Sequence, residues 1–429
     1  MTAVEGHIVG YDLSETYGQI SFYSKKEHEP QTMEVGTDQT QMPLVIGLKD
    51  DFWMIGNAAV RMKERKEGYV AEDLYRKAMQ QERIVLGNRA YEAVWLLAKF
   101  IEISLQDFKP ISRLVFSVPQ MSVDVGKVLK GIGPRIGVDK SSITVQDYKE
   151  SFFNYMFYQP KELWQYEAAL FYCDRYEVKA YMLRKLRTGS GKGSNLFVTV
   201  DEVARAQMKE LEAVYPVLNV DRAKDADAQF NQFIQGVFNK KIVSSVFLVG
   251  EGFENNWYPQ SLKVLCNGRR AFMGNNLYSK GACYAGYRAL MEDNEGPIYL
   301  DETKMTQQIC LKLRIGGQEE WTPIVAWGSH WYESDKQLEV LLENTEDIEI
   351  HVESLLDSQV QVIKVPMGRL PQRKNYAIRL QIKVLFVEEK ICRISFQDMG
   401  FGEFFAPTDF YEEVDIHLGG SNGQFNSLS

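Results

Sequence analysis

Hydrophobic periodicity changes once along this chain, near Pro297, and that change limits the architecture more than any other feature. Before it, strand-like and helix-like stretches alternate. Residues 91–108 place Val94, Leu97, Ala98, Ile101 and Leu105 three and four apart, on one helical face, and Pro110 ends the pattern. After Pro297 the helical patterns vanish. Ile348/Ile350/Val352, Ile378/Leu380/Ile382/Val384 and Cys392/Ile394/Phe396 alternate with polar residues, and Gly316-Gly317 and Gly368-Arg369-Leu370-Pro371 carry turn chemistry. A mixed α/β body to residue 298 and an antiparallel β-sandwich over 299–418 are therefore expected, with 419–429 of disordered-tail composition.

Within the body, His7-Ile8-Val9-Gly10-Tyr11 and residues 17–24 read as strands around Asp12-Leu13-Ser14-Glu15. Residues 43–46 and 52–55 read as a second hairpin. A strand over 168–173 returns as 178–183 across Asp174-Arg175-Tyr176-Glu177, and 113–118 and 246–249 read as buried strands. Helices are expected at 57–66, 123–132, 151–163, 200–214, 225–238 and 258–265, and towards the end of 271–290. Residues 188–195 form a Gly/Ser/Lys-rich loop, but Leu186 stands where a GxxxxGK[ST] phosphate loop needs its first glycine, so a flexible turn is expected.

Composition removes several function classes. A formal net charge of −9 argues against nucleic acid or anionic lipid as the main partner. No apolar run reaches the roughly 18 residues a spanning helix needs, and the first residues lack a signal pattern, so a soluble cytoplasmic protein without membrane insertion is expected. Cysteines 173, 266, 283, 310 and 392 form no CxxC pair and have no histidine at ligand spacing, which predicts buried, reduced thiols. The five histidines are scattered singly and give no triad local support.

Taken in order, the motifs Gly10-Tyr11-Asp12-Leu13-Ser14-Glu15-Thr16, Ile55-Gly56-Asn57-Ala58-Ala59, Phe116-Ser117-Val118-Pro119, Phe171-Tyr172-Cys173-Asp174, Leu248-Val249-Gly250-Glu251-Gly252-Phe253 and Gly274-Asn275-Asn276 are met one after another. This series resembles the actin, sugar-kinase and DnaK-chaperone superfamily, most closely its DnaK type. Residues 362–371 with the strands up to Gly402 resemble the peptide-binding sandwich of those chaperones. The resemblance implies two lobes, about 1–165 and 166–298, closing over Mg·ATP or ADP. Asp12 and Asp174 would serve magnesium or the attacking water, and Ser14, Glu15, Thr16 and Arg175 would stand at the phosphate turns. Gly250, Gly252 and Phe253 would lie beside the adenosine.

The phosphate turns depart from the family pattern. Ser14 and Glu15 follow Asp-Leu where a glycine belongs, and Arg175-Tyr176-Glu177 replaces a run of glycines. A carboxylate about 4 Å from a phosphate charge costs about 4 kcal/mol at an effective dielectric near 20. Arg175 can offset part of this by pairing with phosphate. For Asp12, Asp174 and the Gly250–Gly252 turn the alternative is purely local: turn aspartates satisfy neighbouring N–H groups, and the glycines serve a strand-to-helix turn.

The aromatic set Phe152, Phe153, Tyr155, Phe157, Tyr158 and Trp164 can face a partner or fill the space between lobes. Trp321, Trp327 and Trp331 can line a peptide cleft or fill the sandwich core. The expected function is a degenerate DnaK-like chaperone or scaffold, weak or inactive as an ATPase, that binds a protein or peptide through its sandwich. An active Mg-ATP-dependent chaperone and a filament-forming actin relative are the alternatives.

Overall fold

The computed structural model describes residues 6–174, 176–187, 196–215, 218–291, 296–342, 347–356, 359–371, 373 and 378–419. The loop expected at 188–195, Arg175 and the tail beyond Gly419 lie outside the described residues. The fold is mixed α/β, and the chain divides into two compact units, residues 1–184 with 200–295 and residues 185–199 with 296–429.

Two six-stranded sheets, built mostly from the first unit, share the order of five strands, and in the second sheet Ile298–Tyr299 adds a further strand beside Phe197 and Val198. One runs Ile143–Asp147, Ile111–Val118, His7–Leu13, Tyr17–Ser24, Glu29–Thr32; the other runs Arg270–Met273, Val243–Val249, Glu167–Cys173, Glu177–Arg187, Leu196–Gln207. In each, the first strand in the chain lies between an antiparallel hairpin partner and a parallel strand contributed much later. Such a strand is covered on both faces, which is why His7–Leu13 buries every residue from Ile8 onward and reads as one apolar run. Helix Ala93–Ser104 packs Leu96, Leu97, Phe100 and Ile101 into the core of the first sheet.

Two local expectations need correction. The hairpin expected over 43–55 is formed by Ile46–Lys49 and Phe52–Ile55, while Met42–Pro43 pairs with Tyr17 and Gly18. Asp50 and Asp51 both take positive φ, 49° and 63°, the conformation of a two-residue type I′ turn, and this centres the hairpin after Lys49. The helix expected at 200–214 is instead the strand Leu196–Gln207 followed by a 3-10 turn at Lys209–Ala213. Pairing beside Glu177–Arg187, with Phe197, Val198 and Val200 buried, overrides the helix-prone Glu202, Ala204, Arg205, Ala206 and Gln207 of that strand.

The second unit holds two four-stranded antiparallel sheets, Gln318–Val325, Gln307–Ile315, Asp347–Ser354, Val360–Pro366 and Lys336–Leu342, Ile378–Glu388, Ile391–Asp398, Tyr411–His417. Ile350 and Val352 from one sheet and Leu380, Ile382, Val384, Ile394 and Phe396 from the other fill one core, the inward half of the alternation read from sequence. Gly419 donates its N–H to Gln307 Oε1 at 2.8 Å. Four cysteines are buried thiols, whereas Cys266 is exposed. No helix among the described residues is long and apolar enough to cross a membrane.

Candidate functional site

The two hairpins expected to cradle phosphate close through the same bond. The Ser14 N–H donates to Tyr17 O at 2.9 Å, and the Asp174 N–H donates to Glu177 O at 3.2 Å. In each turn the first residue then folds its side chain over the turn. Ser14 Oγ accepts from the N–H groups of Thr16 (3.1 Å) and Tyr17 (2.9 Å). Asp174 Oδ1 accepts from those of Tyr176 (2.8 Å) and Glu177 (2.9 Å). Serine and aspartate commonly satisfy N–H groups two and three residues on in this way. Four of the amides that would form an anion cradle, those of Thr16, Tyr17, Tyr176 and Glu177, are thus occupied by side chains of their own turns. Glu15 and Thr16 are exposed.

Strand register also separates the two aspartates that the resemblance pairs. Asp12 stands opposite Gln19, two residues before Ser14, and the matching place in the second hairpin, opposite Lys179 and two residues before Asp174, is held by Tyr172. Asp174 is therefore the counterpart of Ser14, not of Asp12. The sequence shows two aspartates near two strand ends, and only the pairing register reveals that they differ by two positions.

Asp12 is fully buried. Its Oδ1 accepts from the Tyr148 hydroxyl at 2.8 Å and its Oδ2 from the Tyr17 hydroxyl at 3.2 Å. Burial pushes its carboxyl up to about 7, against the lowering effect of the two tyrosine hydrogen bonds. Tyr148 in turn stacks on Tyr278, with ring centroids 3.8 Å apart and planes 5° from parallel. The cavity beside this stack, lined by Tyr148, Phe152, Leu170, Tyr181, Val200 and Tyr278 among others, measures about 10 Å³. Ligand pockets span roughly 300–1,000 Å³, so this space holds about one water and no nucleotide.

A magnesium ion takes oxygen ligands and keeps several waters. With both Asp12 oxygens bonded to tyrosines and no exposed surface, the residues do not fit such an ion in this arrangement. Among the described residues, no group of three or more His, Cys, Asp or Glu side chains is placed to hold a metal.

The glycines expected beside adenosine are accounted for by packing. A Cβ at Gly250, whose φ is +109°, would fall 2.2 Å from Cys173 O, and one at Gly252 would fall 2.5 Å from Asp174 O. Both residues let the chain press against the tip of the second hairpin. The Gly250 N–H donates to Asn275 Oδ1 at 3.0 Å. Phe253 is buried against Phe230 and Tyr258, with ring centroids 5.3 and 5.4 Å away.

Sequence reasoning missed a buried polar seam where helices Tyr148–Phe157 and Leu277–Leu290 meet the first sheet. Ser279 Oγ donates to Gln19 Oε1 at 3.0 Å and lies 2.8 Å from Ser21 Oγ. Ser151 Oγ lies 2.6 Å from Ser117 Oγ and accepts from Gln146 Nε2 at 2.8 Å. A Cβ at Gly10 would sit 2.1 Å from Ser279 O, and one at Gly281 would sit 2.0 Å from Ser151 O, so helix meets strand and helix meets helix at backbone distance. The available signal was small and polar residues at buried-strand positions, which single-residue hydrophobicity hides.

The aromatic set packs inward. Phe152 meets Phe247 edge-on at 5.7 Å, Tyr158 stacks on Tyr284 at 4.4 Å, and Trp164 is buried. The three tryptophans do not converge on one cleft. Trp331 packs against the sandwich core, Trp327 packs with Phe197, Leu300 and Leu355, and Trp321 stacks on His351 at 3.4 Å.

Comparison with known proteins divides the chain near the same place as the structure. Residues 27–302 match the C-terminal part of DUF5716, a family of unknown function, and residues 304–418 match DUF8552, a domain of unknown function. No curated protein matches the chain. The first match covers more than half of the chain, and this protein belongs to the DUF5716 family.

Proposed function

We propose that this protein is a non-catalytic scaffold of DnaK-like ancestry, in which an actin-like body has given up nucleotide turnover and the β-sandwich binds a protein or peptide partner in the cytoplasm. The repeated sheet order of the first unit supports the ancestry, since a duplicated sheet of this kind is what a two-lobed body needs. The eight-stranded sandwich that follows supports the comparison with a peptide-binding domain. Fold alone does not assign activity.

One observation carries the loss of turnover: in the two turns the amides of Thr16, Tyr17, Tyr176 and Glu177 are bonded to the Ser14 and Asp174 side chains. Without those amides, and with Asp12 enclosed by Tyr17 and Tyr148, neither phosphate binding nor a metal-held water has a starting point.

The test is a titration of the full chain with Mg·ATP and Mg·ADP, read by thermal shift and by calorimetry. No shift and no heat are expected. A shift of several degrees that Asp12→Ala abolishes would instead establish the ATPase reading.

A further inference from the structure

The connection between strands Ile391–Asp398 and Tyr411–His417 presents bare aromatic side chains on a braced loop. Phe404 is 85% exposed and Phe401 37% exposed. An isolated apolar surface residue is ordinary, but two phenylalanines on one short, held loop are not. The bracing is specific. Asp398, fully buried at the loop base, accepts from Gly400 N–H (3.0 Å), Thr408 N–H (2.9 Å) and Thr408 Oγ1 (2.8 Å). Both of its oxygens also receive the Arg373 guanidinium, whose Nη2 reaches Ala406 O at 3.1 Å as well. The Arg373 guanidinium lies 5.6 Å from the centre of the Phe405 ring, and Phe401 N–H donates to Phe405 O at 2.8 Å across the tip.

A loop ordered before contact loses little conformational entropy on docking, and aromatic side chains are the usual anchors of protein interfaces. Its charge selects the partner. Residues 399–410 contain Glu403 and Asp409 and no Lys or Arg. Neither acid engages a cation among the described residues, while Arg373 is committed to Asp398. An anionic bilayer would repel this tip, whereas an apolar pocket bordered by basic side chains would attract it.

We infer that the braced 399–410 loop is a docking surface, with Phe404 as anchor and Glu403 as its charged neighbour, for a partner protein whose apolar pocket is rimmed by Lys or Arg. This rests on the partner-binding reading above and names the surface that performs it.

The test uses the immobilised full chain against lysate of its own host cells, comparing wild type with Phe404→Ser, Phe404→Trp and Glu403→Lys. A parallel sample carries a photoreactive phenylalanine analogue at 404. Because Phe404 is exposed, its variants should melt with the wild type, which a circular-dichroism melt verifies. The expected result is a captured protein that falls about thirtyfold with Phe404→Ser. Its capture persists with Phe404→Trp and weakens with Glu403→Lys and with added salt, and its cross-link maps to an apolar segment flanked by basic residues. Equal capture by wild type and Phe404→Ser would overturn this surface while leaving the broader reading in place. So would cross-linking to a second copy of this chain, or Phe404-dependent binding to phosphatidylcholine vesicles. No capture by wild type at all would remove both.

Discussion

Tyr148 and Tyr278 lie face to face, 3.8 Å between ring centroids, and the Tyr148 hydroxyl reaches Asp12 at 2.8 Å. One stacked pair thus joins helix Tyr148–Phe157 to helix Leu277–Leu290 and closes the space over the first hairpin's aspartate. Removing the ring in Tyr148→Ala should cost about 3–5 kcal/mol in urea denaturation. Tyr148→Phe keeps the stack but leaves one Asp12 oxygen without its donor, for a loss of about 1–3 kcal/mol.

Asp12 should make stability fall with rising pH. Its carboxyl is raised to about 7 in the folded chain against 3.8 ordinarily, so the folded state holds a proton the unfolded state has released. Its contribution is full below about pH 4 and is lost as pH rises through 7, up to about 4 kcal/mol. Asp12→Asn, which cannot titrate, should match wild type near pH 4 and exceed it at pH 8. Denaturation midpoints across that range check it; a constant difference would contradict the burial argument.

Glycines in this fold divide sharply by surroundings. Gly281→Ala drives a methyl to 2.0 Å from Ser151 O, where backbone cannot yield, and should cost about 3 kcal/mol or more. Gly236, inside helix Val220–Phe238, has nothing within 4 Å of an added Cβ, and Gly236→Ala should stabilise by about 0.5–1 kcal/mol. Thermal melts of the two variants give opposite signs.

At the sandwich loop, burial alone would raise the Asp398 carboxyl, but Arg373 and the Gly400 and Thr408 donors override it and hold the group at about 2. Its stabilisation is present above the usual carboxylate range and disappears as pH falls towards 2. Asp398→Asn leaves the Arg373 charge buried and should lose about 3–5 kcal/mol at pH 7, with the gap narrowing below pH 4. Guanidinium denaturation at pH 7 and at pH 3 measures the narrowing.

Much was settled by local pattern. Period-two alternation placed Leu380, Ile382 and Val384 facing the sandwich core, and the 3.6-residue pattern placed the helix Ala93–Ser104, because solvent exclusion acts on each side chain through its position in a local repeat. The hairpin around residues 174–177 was legible from turn chemistry in the same way.

What the tertiary structure decided is everything that depends on register and long-range approach. Whether Asp12 answers to Asp174 or to Tyr172 depends on strand pairing, and whether Ser14 and Asp174 offer or occupy turn amides depends on side-chain direction. Tyr148 lies 136 residues from Asp12, and Ser279 lies 260 from Gln19. No local propensity encodes such contacts; they exist because helices Tyr148–Phe157 and Leu277–Leu290 pack on each other, and the second of them on the first sheet, at backbone distance, and must satisfy the polar groups they bury.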